Sequence, residues 1–475
     1  MSQQPNDLNP EEEDADVQAS ASAVQSAEEE LEQQTELVRD LSEAVRAGDG
    51  ERVSELVEPV HSADLADVFE LLPHGDRKEL VHILGDQLDP DILPELEGQA
   101  FEDVISEMES SDIAGALSQM DSDDAAYVLE EMDETAQLEV LEQVSDQDRI
   151  AIEELLSYPE DTAGRMMERK LIAVAPFWNV GQVLDYLRSE DEIADDFWEI
   201  FVVDPQYHPI GTMALSKIMR RPRETLVGDI MQTEQTLIPV EMDQEEVADR
   251  FRRYNLVSAA VVDNAGRLVG VVKIDDIVDV IDEEAEEDIL ALAGVSEGDV
   301  NISVREITKT RFGWLLVNLL TAILASAVIA QFGASIEELV ALAILMPIVA
   351  SMGGNAGTQT MTVAVRALAT RELTSANAAR IVTKELFVSL ANGALLAVLM
   401  GVVAAFWFAS AGLGLVIGAA MVLNMIVAGL SGIMVPLVLD RMNIDPAVSS
   451  TVFVTTITDV VGFLAFLGLA ATFLM

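Results

Sequence analysis

The run TTITDVVG at 455–462 places one carboxylate, Asp459, deep in an apolar stretch: 12 residues of that stretch precede it and about 15 follow. An aspartate at the centre of a membrane-crossing helix costs roughly 2.5–3.5 kcal/mol on insertion scales, so such a residue is read as functional by default. Earlier in the chain, PIVASMGGNAGTQTMT, starting at Pro347, sets Ser351, Asn355, Thr358, Gln359, Thr360 and Thr362 among Gly353, Gly354, Ala356 and Gly357. Only 12 apolar residues, 339–350, come before these polar groups, too few to cross a bilayer. The polar segment must therefore lie in the membrane and face protein or water. Small residues there serve close helix packing, but that does not explain the amides of Asn355 and Gln359, which share a face at an i, i+4 spacing. Thr455, Thr456 and Thr458 add hydroxyl oxygen near Asp459. One carboxylate with such neighbours is a poor cage for a bare ion. Mg²⁺ gives up water reluctantly and suits one or two carboxylates contacting its hydration shell. Two copies of Asp459 across a dimer axis would select a hydrated divalent cation. A structural aspartate or a proton relay is the plainer alternative.

The rest of the composition narrows the chemistry. The chain has no cysteine, which removes disulfides and thiolate sites, and its four histidines form no HxxxH or HExxH pair. Any metal site must use oxygen, the preference of hard cations. An intramembrane aspartyl protease would need two carboxylates sharing a proton, and one is available per chain. No enzymatic function is expected.

Five apolar segments must position these residues: about 312–332, 339–365, 386–409, 413–439 and 447–474. Each reaches the roughly 20 residues that span a hydrocarbon core of ~30 Å. Lys and Arg cluster before the first segment and after the second, Arg441 follows the fourth, and the alternate connections have none. The positive-inside rule then puts the N-terminal half in the cytoplasm and the C-terminus outside, a multi-pass protein of the cytoplasmic membrane. Five spans make a thin bundle, which suggests a pathway formed between subunits.

Residues 1–311 hold 77 of the 84 acids and 22 of the 27 bases. Nucleic-acid binding is disfavoured, since phosphate contacts need a basic face. An acidic surface of this kind suits concentrated salt. Residues 1–50 form an acidic, largely disordered segment, most clearly over 1–30, with no signal peptide. From 51 to 161 apolar residues recur every twelve positions at Leu72, Leu84, Leu96, Met108, Met120, Met132, Val144 and Leu156. A second row lies four residues earlier, from Val68 to Ile152. Two rows at that offset mark one helix face per repeat, and helices so short must stack, which predicts a small α-solenoid.

Another duplication follows. Residues 165–188 align with 229–252 at an offset of 64, and 200–219 with 259–278 at an offset of 59. Each copy reads strand, helix, two strands joined by a turn, helix. The VVD-turn-G pattern and the duplication resemble a pair of CBS domains, 162–222 and 223–281, a fold whose clefts can hold an adenine nucleotide such as ATP. A connecting segment, 282–311, leads to the membrane part, 312–475.

With YPEDTAG (158–164), DQEEVA (243–248), KIDDIVDVIDEEAEEDI (273–289), GGNAGTQ (353–359), RALATREL (366–373) and TDVVG (458–462), the chain resembles the MgtE-type magnesium channel family from about residue 51 onward. The resemblance implies a multidomain homodimer in the lipid bilayer: a solenoid-like α-helical N-domain, an α/β CBS pair, a connecting plug helix and an all-α domain of five spans. It implies that Asp459 binds hydrated Mg²⁺ in the pore; by their spacing Asn355 and Gln359 would line the hydrated passage, with Thr455 adding oxygen near Asp459. It also implies that cytoplasmic Mg²⁺ closes the channel through Asp243, Glu245, Asp276, Asp279, Glu284, Glu287 and Asp288, with Asp112 on the N-domain side. The chain departs from the family pattern at Ser111, Gly115 and Asn255. Transport of Co²⁺, Mn²⁺ or Ni²⁺, or a membrane-anchored nucleotide sensor, are the competing readings.

Overall fold

The structure is a computed structural model that describes residues 31–189, 197–295, 304–374, 376–442 and 444–475. The expectations for residues 1–30, and the part of the linker at 296–303, lie outside the described residues. The chain divides into two compact units, one ending at Val280 and the other formed by Ile281–Met475.

The first unit opens with helix α1 over 31–47. This corrects the expectation of disorder up to residue 50: Leu41, Ala44 and Val45 are buried and join the main core. The apolar spacing 37, 38, 41, 44, 45 is helical, and it outweighs the acidic composition around it. Helices α2 (Gly50–Val57), α3 (Ser62–Leu71), α4 (His74–Leu84), α5 (Gly98–Glu107), α6 (Ser110–Leu117), α7 (Ser122–Glu130), α8 (Glu134–Leu141) and α9 (Asp146–Leu156) follow. From α3 onward the starts fall on the twelve-residue grid at 62, 74, 98, 110, 122, 134 and 146. The slot between α4 and α5 holds two 3₁₀ turns, Gly85–Gln87 and Pro90–Glu95. Pro90 and Pro94 remove the donors a regular helix would need there. All eight residues of the earlier apolar row, Val68 to Ile152, are buried.

Two three-stranded sheets come next. In the first, β1 (Ala173–Val174), α10 (Val180–Ser189), β2 (Glu199–Val203), β3 (Pro209–Ala214) and α11 (Leu215–Met219) follow in order. Short α12 (Val227–Ile230) leads to the second copy: β4 (Leu237–Pro239), α13 (Gln244–Tyr254), β5 (Ser258–Val262), β6 (Leu268–Lys273) and α14 (Ile274–Ala293). Each sheet has the order first-second-third strand, parallel then antiparallel. The offsets of 64 and 59 hold element by element. Even the bulge recurs, at Val202/Val203 and Val261/Val262. Phe201, Val203, Ala260, Leu268 and Val271 pack the two copies together. The second copy, with the segment 162–168 paired to it, also shares one core with the helical domain, through Ala163, Met167, Val247, Phe251 and Ile277.

The boundary expected at 281/282 falls inside α14, one continuous helix of 20 residues. The second unit then contains α15 (Val304–Ala330), short α16 (Gly333–Glu338), α17 (Ala341–Ala369), α18 (Ala378–Trp407), α19 (Ala411–Arg441) and α20 (Pro446–Phe473). Five of these helices are long and apolar enough to cross a membrane. Central α19 is the most buried, packed by α17, α18 and α20. In α15 and α18 rows such as Leu315, Leu319, Leu395, Val398 and Phe406 stay exposed, as lipid-facing surfaces do.

Candidate pore and acidic cluster

Helices α17 and α20 run antiparallel and meet through small residues. A Cβ built on Gly354 would lie 4.0 Å from Thr455, and one on Gly357 would lie 2.5 Å from Val454 and 3.6 Å from Thr458. Thr451 Oγ1 reaches Met361 Sδ at 3.8 Å. These contacts step along the two helices in opposite directions. Asp459, one turn beyond Thr455, is therefore level with Ser351, one turn before Gly354. Ser351, Asn355 and Gln359 form an exposed polar stripe on α17, with Asn355 Nδ2 donating to Ser351 Oγ at 3.4 Å. Gly353 and Gly357 are buried in the helix contacts, so the glycines serve packing and the amides do not. Asp459 is half-buried, and among the described residues no hydrogen bond or ion pair forms on it.

The threonines are less available than their sequence position suggests. Thr455 Oγ1 donates to the carbonyl of Thr451 at 2.8 Å, Thr456 to that of Val452 at 2.6 Å and Thr458 to that of Thr455 at 2.9 Å. Thr458 is wholly buried. Thr455 keeps acceptor lone pairs but no free proton, so it can only receive hydrogen bonds from a passing water. Asp459 is also not the only acid within a spanning helix: α18 starts eight residues before the expected span and takes in Glu385, which accepts a 2.7 Å hydrogen bond from Thr360 of α17.

The end of α14 docks on this bundle. Ala291 packs with Met361, Val365, Ala447 and Val454. Thr451 Oγ1 donates to the carbonyl of Leu292 at 2.9 Å, satisfying one of the acceptors a helix end leaves open. Half-buried Asp288 is pushed above the usual carboxylate range by burial and by the neighbouring Asp445.

In the first unit the acids that face Asp276 come from the start of α7. Burial, and then Asp276, pushes Asp123 well above its ordinary value. Burial and Asp275 raise Asp276 to about 7, and burial and Asp121 raise Asp124 to about 6. Asp123 Oδ1 is buried without a hydrogen-bond partner. Asp121 precedes α7 as its N-cap, yet its side chain makes no capping bond. It pairs instead with Lys273 at 3.0 Å, and Lys273 also reaches Glu168 at 2.8 Å. That lysine is an internal cation in the middle of the acidic surface.

The other expected ligands are spread out. Asp243 caps α13 by accepting from Glu245 N at 3.1 Å. Asp276 Oδ2 accepts from Lys273 N at 3.2 Å. Asp279 raises Glu95 by repulsion, an effect second to the burial of Glu95. Glu284 and Glu287 lie farther along α14. Asp112 on α6 is exposed and accepts from Ser111 at 3.3 Å, and nothing among the described residues brings it to Asp276. On the N-domain side it is Asp123 and Asp124, from the DSDD run that opens α7, that lie near Asp276. Asn255 has a local role: it closes α13 in the left-handed region at φ 52°, where asparagine is tolerated better than most residues. Among the described residues no three His, Asp or Glu side chains converge to hold a bare metal ion.

A cleft of about 650 Å³ between the sheets and α9 is lined by Glu154, Tyr158, Arg169, Tyr207, Asp263 and Arg267, among others. Arg169 pairs with Glu154 at 2.9 Å and Arg267 with Asp263 at 2.6 Å.

Fold and site together define a multi-pass membrane protein whose spanning bundle carries Asp459 and a polar stripe on two packed helices, joined to a helical domain and a CBS-type pair. Residues 346–469 match the MgtE family, described as a divalent cation transporter; 60–161 match the MgtE intracellular N domain, and 227–283 a CBS domain. The chain is 32% identical over 323 residues to the magnesium transporter MgtE of Enterococcus faecalis (68% of this chain, 71% of that one). It is 35% identical over 325 residues to that of Thermus thermophilus (68% and 72%). The crystal structure of the cytosolic domain of the Mg²⁺ channel MgtE in complex with ATP matches 51% of this chain and 99% of that one, at 28% identity and a TM-score of 0.48. The chain belongs to the MgtE family.

Proposed function

We propose that two copies of this chain form a Mg²⁺-selective channel that imports magnesium across the cytoplasmic membrane and closes when cytoplasmic Mg²⁺ is plentiful. The observation that carries this reading is Asp459, without a partner among the described residues, on a helix packed against the one that carries the exposed stripe of Ser351, Asn355 and Gln359. Polar side chains on a spanning helix need water or protein in front of them. A second copy across a two-fold axis supplies both, and puts two carboxylates around one hydrated dication. Asn355 and Gln359 would hydrogen-bond the ion's water shell, and Thr455 would accept from it. A carboxylate pair acting through water suits Mg²⁺, which holds its shell tightly.

Closure on this reading is electrostatic. Asp123, Asp124 and Asp276 face each other with raised affinity for protons, the mark of a site that gains by acquiring positive charge. Mg²⁺ would supply that charge there, and at Asp243, Glu245, Asp279, Glu284, Glu287 and Asp288. It would favour the state in which α14 is docked at Thr451. A ligand shifts such a balance only by its differential affinity for the two states. Placing the first unit in the cytoplasm rests on the Lys and Arg residues of the connecting loops. ATP, if it enters the cleft beside Tyr158 and Tyr207, must draw Arg169 and Arg267 away from Glu154 and Asp263.

Mg²⁺ uptake into proteoliposomes tests this. Asp459→Ala and Asp459→Asn should each lower Mg²⁺ flux by about 100-fold or more, the loss of a charge worth ~3 kcal/mol to the ion. Unchanged flux in both variants would remove the pore assignment, and equal flux of Co²⁺ and Mg²⁺ through the wild type would remove the selectivity.

A further inference from the structure

We propose that Asn424 is a positioning residue for the ion path: its amide wedges between α17 and α20 and fixes the separation at which Ser351 and Asn355 stand beside Asp459. This rests on the reading of Asp459 as the pore carboxylate. Asn424 belongs to α19, is wholly buried, and is the only amide in the buried core of that helix. Its Nδ2 donates to the carbonyl of Val349 on α17 at 2.9 Å. Its Oδ1 accepts no hydrogen bond among the described residues.

The amide occupies space that two other helices have vacated. A Cβ built on Gly462 of α20 would lie 2.8 Å from Nδ2 and 3.0 Å from Cγ. A Cβ on Gly353 of α17 would overlap Nδ2 and lie 2.8 Å from Cγ. Both glycines belong to the pore helices. Gly462 is three residues after Asp459, and Gly353 lies between Ser351 and Asn355. One side chain from the central helix therefore sets the distance between the two helices that carry the polar groups. Leucine of similar volume would fill the gap without leaving a buried acceptor unmatched, which is costly. The amide is retained for direction: its N–H ties the wedge to Val349, one turn before Gly353.

The test uses full-length protein in proteoliposomes, with thermal unfolding in detergent to score folding, and reads the ratio of Mg²⁺ to Na⁺ flux. Gly462→Ala drives a methyl into the amide and should lower that ratio about tenfold, the scale of coupling between residues in contact. Asn424→Ala alone loosens the helices and should also lower it. The double variant Gly462→Ala/Asn424→Ala should lose less than the two single losses combined, because the new methyl fills part of the space the amide leaves, yet should stay below wild type because the N–H to Val349 is gone. Asn424→Leu should keep the fold and lose selectivity. A wild-type ratio in folded Asn424→Leu and Gly462→Ala would reduce the amide to plain packing, and strictly additive losses in the double variant would refute the wedge. Thermal midpoints of the same four proteins give a second cycle that needs no flux: additivity there also refutes the wedge. A wild type that carries no Mg²⁺ would instead overturn the parent reading.

Discussion

A single hydroxyl, Thr451 Oγ1, ties the end of α14 to the spanning bundle through the carbonyl of Leu292. It lies one turn before Thr455 and two before Asp459 on the same face, so the docked helix and the ion path share one support. Thr451→Val keeps the shape and removes the donor. A typical hydrogen bond contributes ~1 kcal/mol net, which is about a fivefold change in an equilibrium constant. On the proposed gating, residual Mg²⁺ flux at saturating cytoplasmic Mg²⁺ should rise by about that factor, and protease cleavage within 282–295 should quicken alongside it. Closure as tight as wild type would show that Thr451 plays no part in docking. Lys273 works at the same scale. Its ammonium is held charged, well above its ordinary range, by Glu168 and Asp121, which outweigh the cost of its burial. It gives this acidic surface a fixed positive charge that needs no metal.

At the scale of elements, the start of α7 against α14 is where pH should act. Asp124 has a folded-state pKa of about 6 against an ordinary 3.8. Between those values the folded chain holds a proton that the unfolded chain has released, so this contribution is complete below the lower value and is lost as pH rises through the upper one. Asp123 and Asp276 have the same sign. In chelator-treated full-length protein the thermal midpoint of the first unit should therefore fall between about pH 5 and about pH 7.5. Asp124→Asn should flatten that fall, and added Mg²⁺ should restore more at the higher pH. A midpoint that rises over this range would contradict the burial of these carboxyls.

For the whole molecule, the proposed ion path sets a second copy against the polar stripe on α17. The chain has no cysteine, so a single introduced thiol reports position without interference. Asn355→Cys should be captured by a short bifunctional thiol crosslinker as a species of twice 51.4 kDa on a denaturing gel. Val398→Cys, on the exposed face of α18, should not. Efficient capture at 398 with none at 355 would place the partner on the other side of the bundle.

Period and polarity were enough for much of this. The twelve-residue rows set the helix starts because each short helix must bury its one face, and the offsets of 64 and 59 carried the duplicated strands. Five apolar lengths gave the spans, and an aspartate inside one of them marked the candidate site, since its cost is visible in one dimension. Encounters between distant segments were not legible in that way. Which acids face Asp276, where Glu385 and the threonine hydroxyls spend their hydrogen bonds, and that Asn424 fills the gap left by Gly353 and Gly462 depend on side chains from separate helices meeting in space. A sequence pattern records which face of an element is apolar; it does not record which partner will lie against that face. Only tertiary packing decides that.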